Sequence, residues 1–112
     1  MSSDVFIVGA ARTPVGSLQG TLASQTAPQL GAHAIAAALS HADINASDVD
    51  EVVMGNVVSA GLKQAPARQA MRQAKLPDSC GATTINKVCG SGMKAAMIAT
   101  DLIRAGSADT VV

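Results

Sequence analysis

Aromatic residues are almost missing from this chain: Phe6 stands alone among 112 residues, with no tryptophan and no tyrosine. Any core must therefore be built from Ala, Val, Ile, Leu and Met. Charge is scarce as well, at 14% of residues, and eight Lys plus Arg balance eight Asp plus Glu. That balance offers no electrostatic capture of nucleic acid and none of an anionic membrane. No apolar run approaches the roughly 20 residues that a membrane span needs. Met1-Ser2-Ser3-Asp4 leads directly into an apolar run without the pattern of a signal or transit peptide, so a cytoplasmic location is expected. Cysteine and histidine are sparse: Cys80, Cys89, His33 and His41 match no zinc spacing. No metal site is expected, and the thiols of such a chain are expected to stay reduced.

What is present is one domain's length of chain that is 48% hydrophobic. Val5-Phe6-Ile7-Val8 is a continuous apolar run, the pattern of a strand buried on both faces of a parallel sheet. Thr26, with Pro28 behind it, reads as a capped helix start. That helix should run to about His41 with Gly31, Ala32, Ile35, Leu39 and Ala42 on its inner stripe. Ser47 and Asp50 stand at capping-box spacing for a short turn. Glu51 to Val58 reads as a second strand, broken or bulged at Gly55. Pro66 suits the first turn of a second helix, with Ala67, Ala70, Met71 and Ala74 inward and Arg68, Arg72 and Lys75 outward, stopped by Leu76-Pro77-Asp78. Thr83-Thr84-Ile85 reads as a third strand, and Gly106 closes a third helix before a fourth strand at Asp109 to Val112. Strands alternating with helices predict an α/β fold with a mainly parallel sheet.

The stretch from Thr83 to Arg104 organises the rest. Cys89 falls where a strand hands over to a helix, between Asn86-Lys87-Val88 and Gly90-Ser91-Gly92. The first N–H groups of a helix lack intrahelical partners, and its aligned peptide dipoles place about half a positive charge there. Such a position favours a thiolate, the form in which cysteine is a nucleophile. Gly90 and Gly92 would let the chain turn sharply and let a ligand come close. Ser91 is the expected N-cap. Met93, Ala95, Ala96, Met97, Ile98, Ala99, Leu102 and Ile103 cover most of the helix surface, so the helix is expected to be buried on most sides. These 112 residues leave nothing to cover it, and the chain is read as the N-terminal part of a longer protein.

Other candidates have simpler readings. Cys80, between Pro77-Asp78-Ser79 and Gly81, has no glycine nest and is read as structural. His33 and His41 are read as core or surface residues, and Arg68 and Arg72 as a solvated face. Gly90-Ser91-Gly92-Met93-Lys94-Ala95 also fits a dinucleotide fingerprint, with Asp109 about twenty residues on. In that fold the acidic residue ends the next strand, whereas Asp109 begins it.

Taken in order, several segments resemble the N-terminal region of the thiolase family, and within it the acetyl-CoA acetyltransferases. They are Ala11-Arg12-Thr13-Pro14 with Gly16-Ser17, Gly55-Asn56-Val57, Gln64-Ala65-Pro66-Ala67-Arg68-Gln69, and Thr84 through Ala95. The resemblance implies a βαβαβαβ layered α/β fold of which residues 1–112 are an incomplete N-terminal half, the loop domain and C-terminal domain lying outside. It implies an acyltransferase in which Cys89 is the nucleophile, forming an acyl-thioester with its own backbone N–H as one oxyanion donor. Two acetyl-CoA would condense to acetoacetyl-CoA and coenzyme A by ping-pong chemistry, or the reverse. Coenzyme A is then substrate and product, with no permanently bound cofactor, and acyl-CoA is the partner within a homodimer or homotetramer. The acid/base residues and the coenzyme A grip have no counterpart in residues 1–112. Degradative 3-ketoacyl-CoA thiolysis stays open beside this, as does a non-catalytic nucleotide- or lipid-binding module.

Overall fold

The computed structural model describes residues 4–112, in the order α1 (Ala27–Ala42), β1 (Glu51–Gly55), α2 (Pro66–Gln73), β2 (Gly81–Ile85) and α3 (Ser91–Arg104), with a short 3-10 turn at Ala46–Asp48 before β1. β1 and β2 run parallel and in register, Glu51 opposite Gly81 through Gly55 opposite Ile85. On the other side of β1, Val111 forms a parallel bridge with Glu51, so the expected fourth strand is present as a short segment. Its backbone alternates with β1: Asp50 N–H donates to Thr110 O, Val112 N–H to Glu51 O and Val53 N–H to Val112 O.

Because successive side chains of a strand face opposite ways, β1 sorts the helices into two layers. Val52 is fully buried in a core with Ile35 and Leu39 of α1, Ala70 and Met71 of α2, and Cys80. Met54, two residues on, meets α1 at Gly31, where an added Cβ would stand 3.0 Å from its Cε. Val53 faces the opposite way, toward a space lined by Ala95, Ala96 and Ala99 of α3. Gly55 continues that face and touches Ser91 at the start of α3.

Local chemistry explains the helix ends. At α1 the Gln29 N–H donates to Thr26 Oγ1 and the Gln29 Oε1 accepts from the Thr26 N–H, a reciprocal capping box. α2 begins after a left-handed Ala65 that has no capping side chain. Thr84 of β2 supplies one from across the layer, its Oγ1 accepting the Ala67 N–H at 3.0 Å. At α3 the chain leaves through Gly106 at φ +74, the expected stop.

Three expectations are overturned. Val5–Val8 forms no strand, with Phe6 and Ile7 75% and 88% exposed. No described residue hydrogen-bonds to it. It borders an apolar cavity shared with Val53, Val111 and Val112, and a strand pattern records only that burial on two faces is available, not which chain delivers it. β1 ends at Gly55 and does not resume through Val58, since Gly55 is pressed against the start of α3. Asp50 does not cap the 3-10 turn; its carboxylate is taken by the Asp109 and Thr110 N–H groups. α3 buries only Ser91, and Met93 is 70% exposed, which agrees with the reading that these residues leave nothing to cover the helix. An apolar helix calls for cover on two sides, and among the described residues only the sheet side is covered.

Candidate functional site

Parallel α/β sheets gather ligand chemistry at the C-terminal ends of their strands. Here Asn56, just past β1, donates its N–H to Ile85 O at the end of β2. Five residues, 86–90, then turn the chain into α3.

That turn is closed by its own polar groups. Asn86 Oδ1 accepts the Val88 N–H at 2.8 Å, and the Gly90 N–H donates to Lys87 O at 3.0 Å. The Ser91 hydroxyl works in both directions, accepting the Lys87 N–H at 2.9 Å and donating to Val88 O at 2.6 Å. Ser91 is 6% exposed and the sole buried polar side chain among the described residues. It is not the N-cap; Gly90 holds that place, and Ser91 is the first helical residue. Its hydroxyl is engaged backward into the turn.

The conformational demand of the turn also lies elsewhere than expected. Gly90 keeps a φ of −89 and Gly92 has no positive φ, whereas Val88 adopts φ +48. Among the described non-glycine residues with positive φ, Val88 alone is β-branched. Such a conformation costs about 1–3 kcal/mol. The two Ser91 bonds, at about 0.5–1.5 kcal/mol each, are of the size needed to hold it.

Cys89 follows Val88, with its thiol free and exposed. It stands two residues before the first helical residue of α3, as its place between strand and helix predicts. No described residue accepts its backbone N–H. Cys89 lines neither of the cavities that flank β1. One of these, about 290 Å³, lies between Arg12, Pro28, Pro66 and Asn56. Asn56 Oδ1 is buried there without a hydrogen-bond partner.

Cys80 is the chemical opposite of Cys89. It is buried, and its Sγ donates to Gly81 O at 3.4 Å. Burial first, then the Glu51 and Asp50 charges, pushes its thiol pKa up, with Arg68 opposing. A neutral, enclosed thiol is a structural one. His33 and His41 are both exposed; His41 Nδ1 accepts the Ala10 N–H at 3.0 Å and so fastens the N-terminal segment to α1. Among the described residues no three His, Cys, Asp or Glu side chains converge as metal ligands would. No described helix is long and apolar enough to cross a membrane. Asp109 binds back to Asp50 before β1, at the far end of the strand from Gly90, about 16 Å away at 3.3 Å per residue. The dinucleotide fingerprint therefore has its glycines and its acid at opposite ends of the sheet.

Sequence reasoning located Cys89 but missed Ser91 as a tie, the left-handed Val88 and the close approach at Gly55. The signal for Ser91 was there, since a serine three residues after a valine and five after an asparagine can close such a turn. Nothing in the sequence marks Val88.

A parallel strand–turn–helix unit with helices on both sheet faces and a thiol at the turn defines the class: a layered α/β protein with a cysteine at a helix entrance. Residues 5–112 match the family model "Thiolase, N-terminal domain", and the chain belongs to the thiolase family. It is 57% identical over 109 residues to acetyl-CoA acetyltransferase 2 of Arabidopsis thaliana, covering 97% of this chain and 27% of that protein. It is 53% identical over 112 residues to acetyl-CoA acetyltransferase of Schizosaccharomyces pombe, covering 100% of this chain and 28% of that one. The crystal structure of the Acat5 thiolase from Ascaris suum in complex with coenzyme A superposes with a TM-score of 0.89 at 39% identity, covering 93% of this chain and 27% of that chain. The chain thus spans little more than a quarter of the length of these relatives.

Proposed function

We propose that the complete protein is an acetyl-CoA acetyltransferase that condenses two acetyl-CoA to acetoacetyl-CoA and coenzyme A, and runs the reverse thiolysis. The observation that carries this reading is the exposed Cys89 thiol on a tied turn at the entrance of α3, in a thiolase-family chain whose relatives bear that name. In the first half-reaction the Cys89 sulfur attacks the thioester carbonyl of one acetyl-CoA. A new S–C bond forms, the carbonyl oxygen takes up negative charge, and the Cys89 N–H donates to it. The bond to the coenzyme A sulfur then breaks, and the departing thiolate is protonated. In the second half-reaction an α-carbanion of another acetyl-CoA attacks the acyl-cysteine carbonyl and frees Cys89.

The bases that take these protons and the surface that grips coenzyme A are assigned to chain outside residues 1–112, in a loop domain and a C-terminal domain. Residues 1–112 alone are accordingly inactive. Coenzyme A is substrate and product and not a resident cofactor, as accords with the coenzyme A complex of the Ascaris suum thiolase. A homodimer or homotetramer in the cytoplasm, serving lipid metabolism, completes the proposal. The names of the relatives favour acetyl transfer over degradative thiolysis of long chains.

The test is to incubate the complete protein with acetyl-CoA and map the acetyl group by peptide mass spectrometry. An acetyl thioester on Cys89, and near-complete loss of turnover in Cys89→Ser, are expected. Acetylation of Cys80 with Cys89 unmodified would overturn the assignment.

A further inference from the structure

We infer that Ser91 and Asn86 are positioning residues that aim the Cys89 sulfur by holding Val88 in its left-handed conformation; the inference rests on Cys89 being the nucleophile. Three observations carry it. The Ser91 hydroxyl both accepts from and donates to the turn, at the Lys87 N–H and the Val88 carbonyl. Asn86 fixes the other side of the same residue by accepting the Val88 N–H. Between these ties, the one β-branched residue with positive φ among those described is held at +48, immediately before the reacting sulfur.

A β-branched residue released from such ties returns to negative φ. That change rotates the peptide plane between Val88 and Cys89, so the sulfur and the Cys89 N–H move together. Ser91 is itself buried at the start of α3, against Gly55, and does not need to touch substrate. Its effect passes through the backbone of Val88. Strain confined to the residue before a nucleophile is a known form of preorganisation, and displacement of a reacting atom by about 1 Å can cost on the order of a hundredfold in rate.

A double-mutant cycle in the complete protein separates this role from simple support of the fold. Ser91→Ala is made in the wild-type and in the Val88→Gly background, since glycine occupies positive φ without strain. Two rates are read for each variant: acetylation of Cys89 by acetyl-CoA, and alkylation of Cys89 by iodoacetamide. With Val88 present, Ser91→Ala should slow acetylation by about ten- to a hundredfold with KM little changed and the thermal midpoint nearly unmoved. In the Val88→Gly background the same substitution should cost less than about threefold, because a turn without strain needs no tie. Asn86→Ala, on the exposed side of the turn, should show the same pattern with a smaller loss, and it decides the matter should Ser91→Ala not fold. Equal losses in both backgrounds, or no loss in either, would overturn the inference. Alkylation needs no acyl-CoA, so if the wild-type protein is never acetylated on Cys89, the functional reading fails while the alkylation rates still decide whether the turn positions the sulfur.

Discussion

At Gly55 a single added methyl group should disturb the fold and the candidate site together. An ideal Cβ built there would stand 2.6 Å from Ser91 Cβ and 3.1 Å from the Ser91 carbonyl carbon. Carbon atoms in comfortable contact are about 3.5–4.0 Å apart, so either β1 or the first turn of α3 must retreat by about 1 Å. The neighbours are a short side-chain stem and backbone, and neither can swing aside. Overpacking of this kind costs about 1–3 kcal/mol, partly offset by the conformational freedom that glycine loses on folding, up to about 1 kcal/mol. The net of about 1–2 kcal/mol should lower the melting temperature of a domain this size by about 5–10 °C. The same displacement passes through Ser91 into the turn, so Cys89 should alkylate on the order of ten- to a hundredfold more slowly. Gly92→Ala is the control, because nothing lies within 4 Å of a Cβ there, and alanine is the better helix former by about 1 kcal/mol. Thermal melts and iodoacetamide labelling of the two variants test the reasoning together. Should Gly55→Ala melt with the wild type and label Cys89 at the same rate, the β1–α3 contact has no hold on the site.

Two further outcomes follow from side chains that reach across the fold. Asp50 accepts the Asp109 and Thr110 N–H groups at 2.8 and 3.0 Å, and those bonds, Thr110 first, lower its pKa from the ordinary value. A lowered folded-state pKa stabilises above the unfolded value of about 3.9 and stops doing so as pH falls through the folded one. The urea midpoint of the wild type should therefore exceed that of Asp50→Asn at pH 7, with the gap closing below about pH 4; a gap independent of pH would refute the charge-assisted contact. Thr84→Val keeps the shape of the side chain but strips the Ala67 N–H of its acceptor, which should cost about 1–3 kcal/mol in urea unfolding. An unchanged midpoint would mean that water replaces Thr84 at the start of α2.

The parts of the fold that were legible in the sequence are those decided within a few residues. Thr26, Pro28 and Gln29 announce α1 because a capping box closes on itself. Ala67, Ala70 and Met71 announce the inner face of α2 because helical spacing alone sets it. Cys89 at a strand-to-helix junction was legible for the same reason, since the β-branched Thr83-Thr84-Ile85 of β2, the polar turn and the helix are consecutive. The pairing of Val5–Val8 was misjudged because it depends on what lies alongside, and the cover of α3 depends on the same thing. The same apolar patterns are compatible with an exposed Phe6 or Met93 when no described segment covers them.

By itself, the sequence determined the order of elements from α1 to α3 and the placing of one thiol at a helix entrance, which follow from local spacing and turn chemistry, while its motifs carried the resemblance to the family. Only the tertiary structure decided that Val88 bears the strain of the turn, that Ser91 reaches back to tie it, that Gly55 must remain without a side chain, and that Cys80 is enclosed while Cys89 is open. The reason is physical: each of these depends on a backbone angle or on a contact between segments brought together by the fold, and neither is a property of the residues taken in sequence.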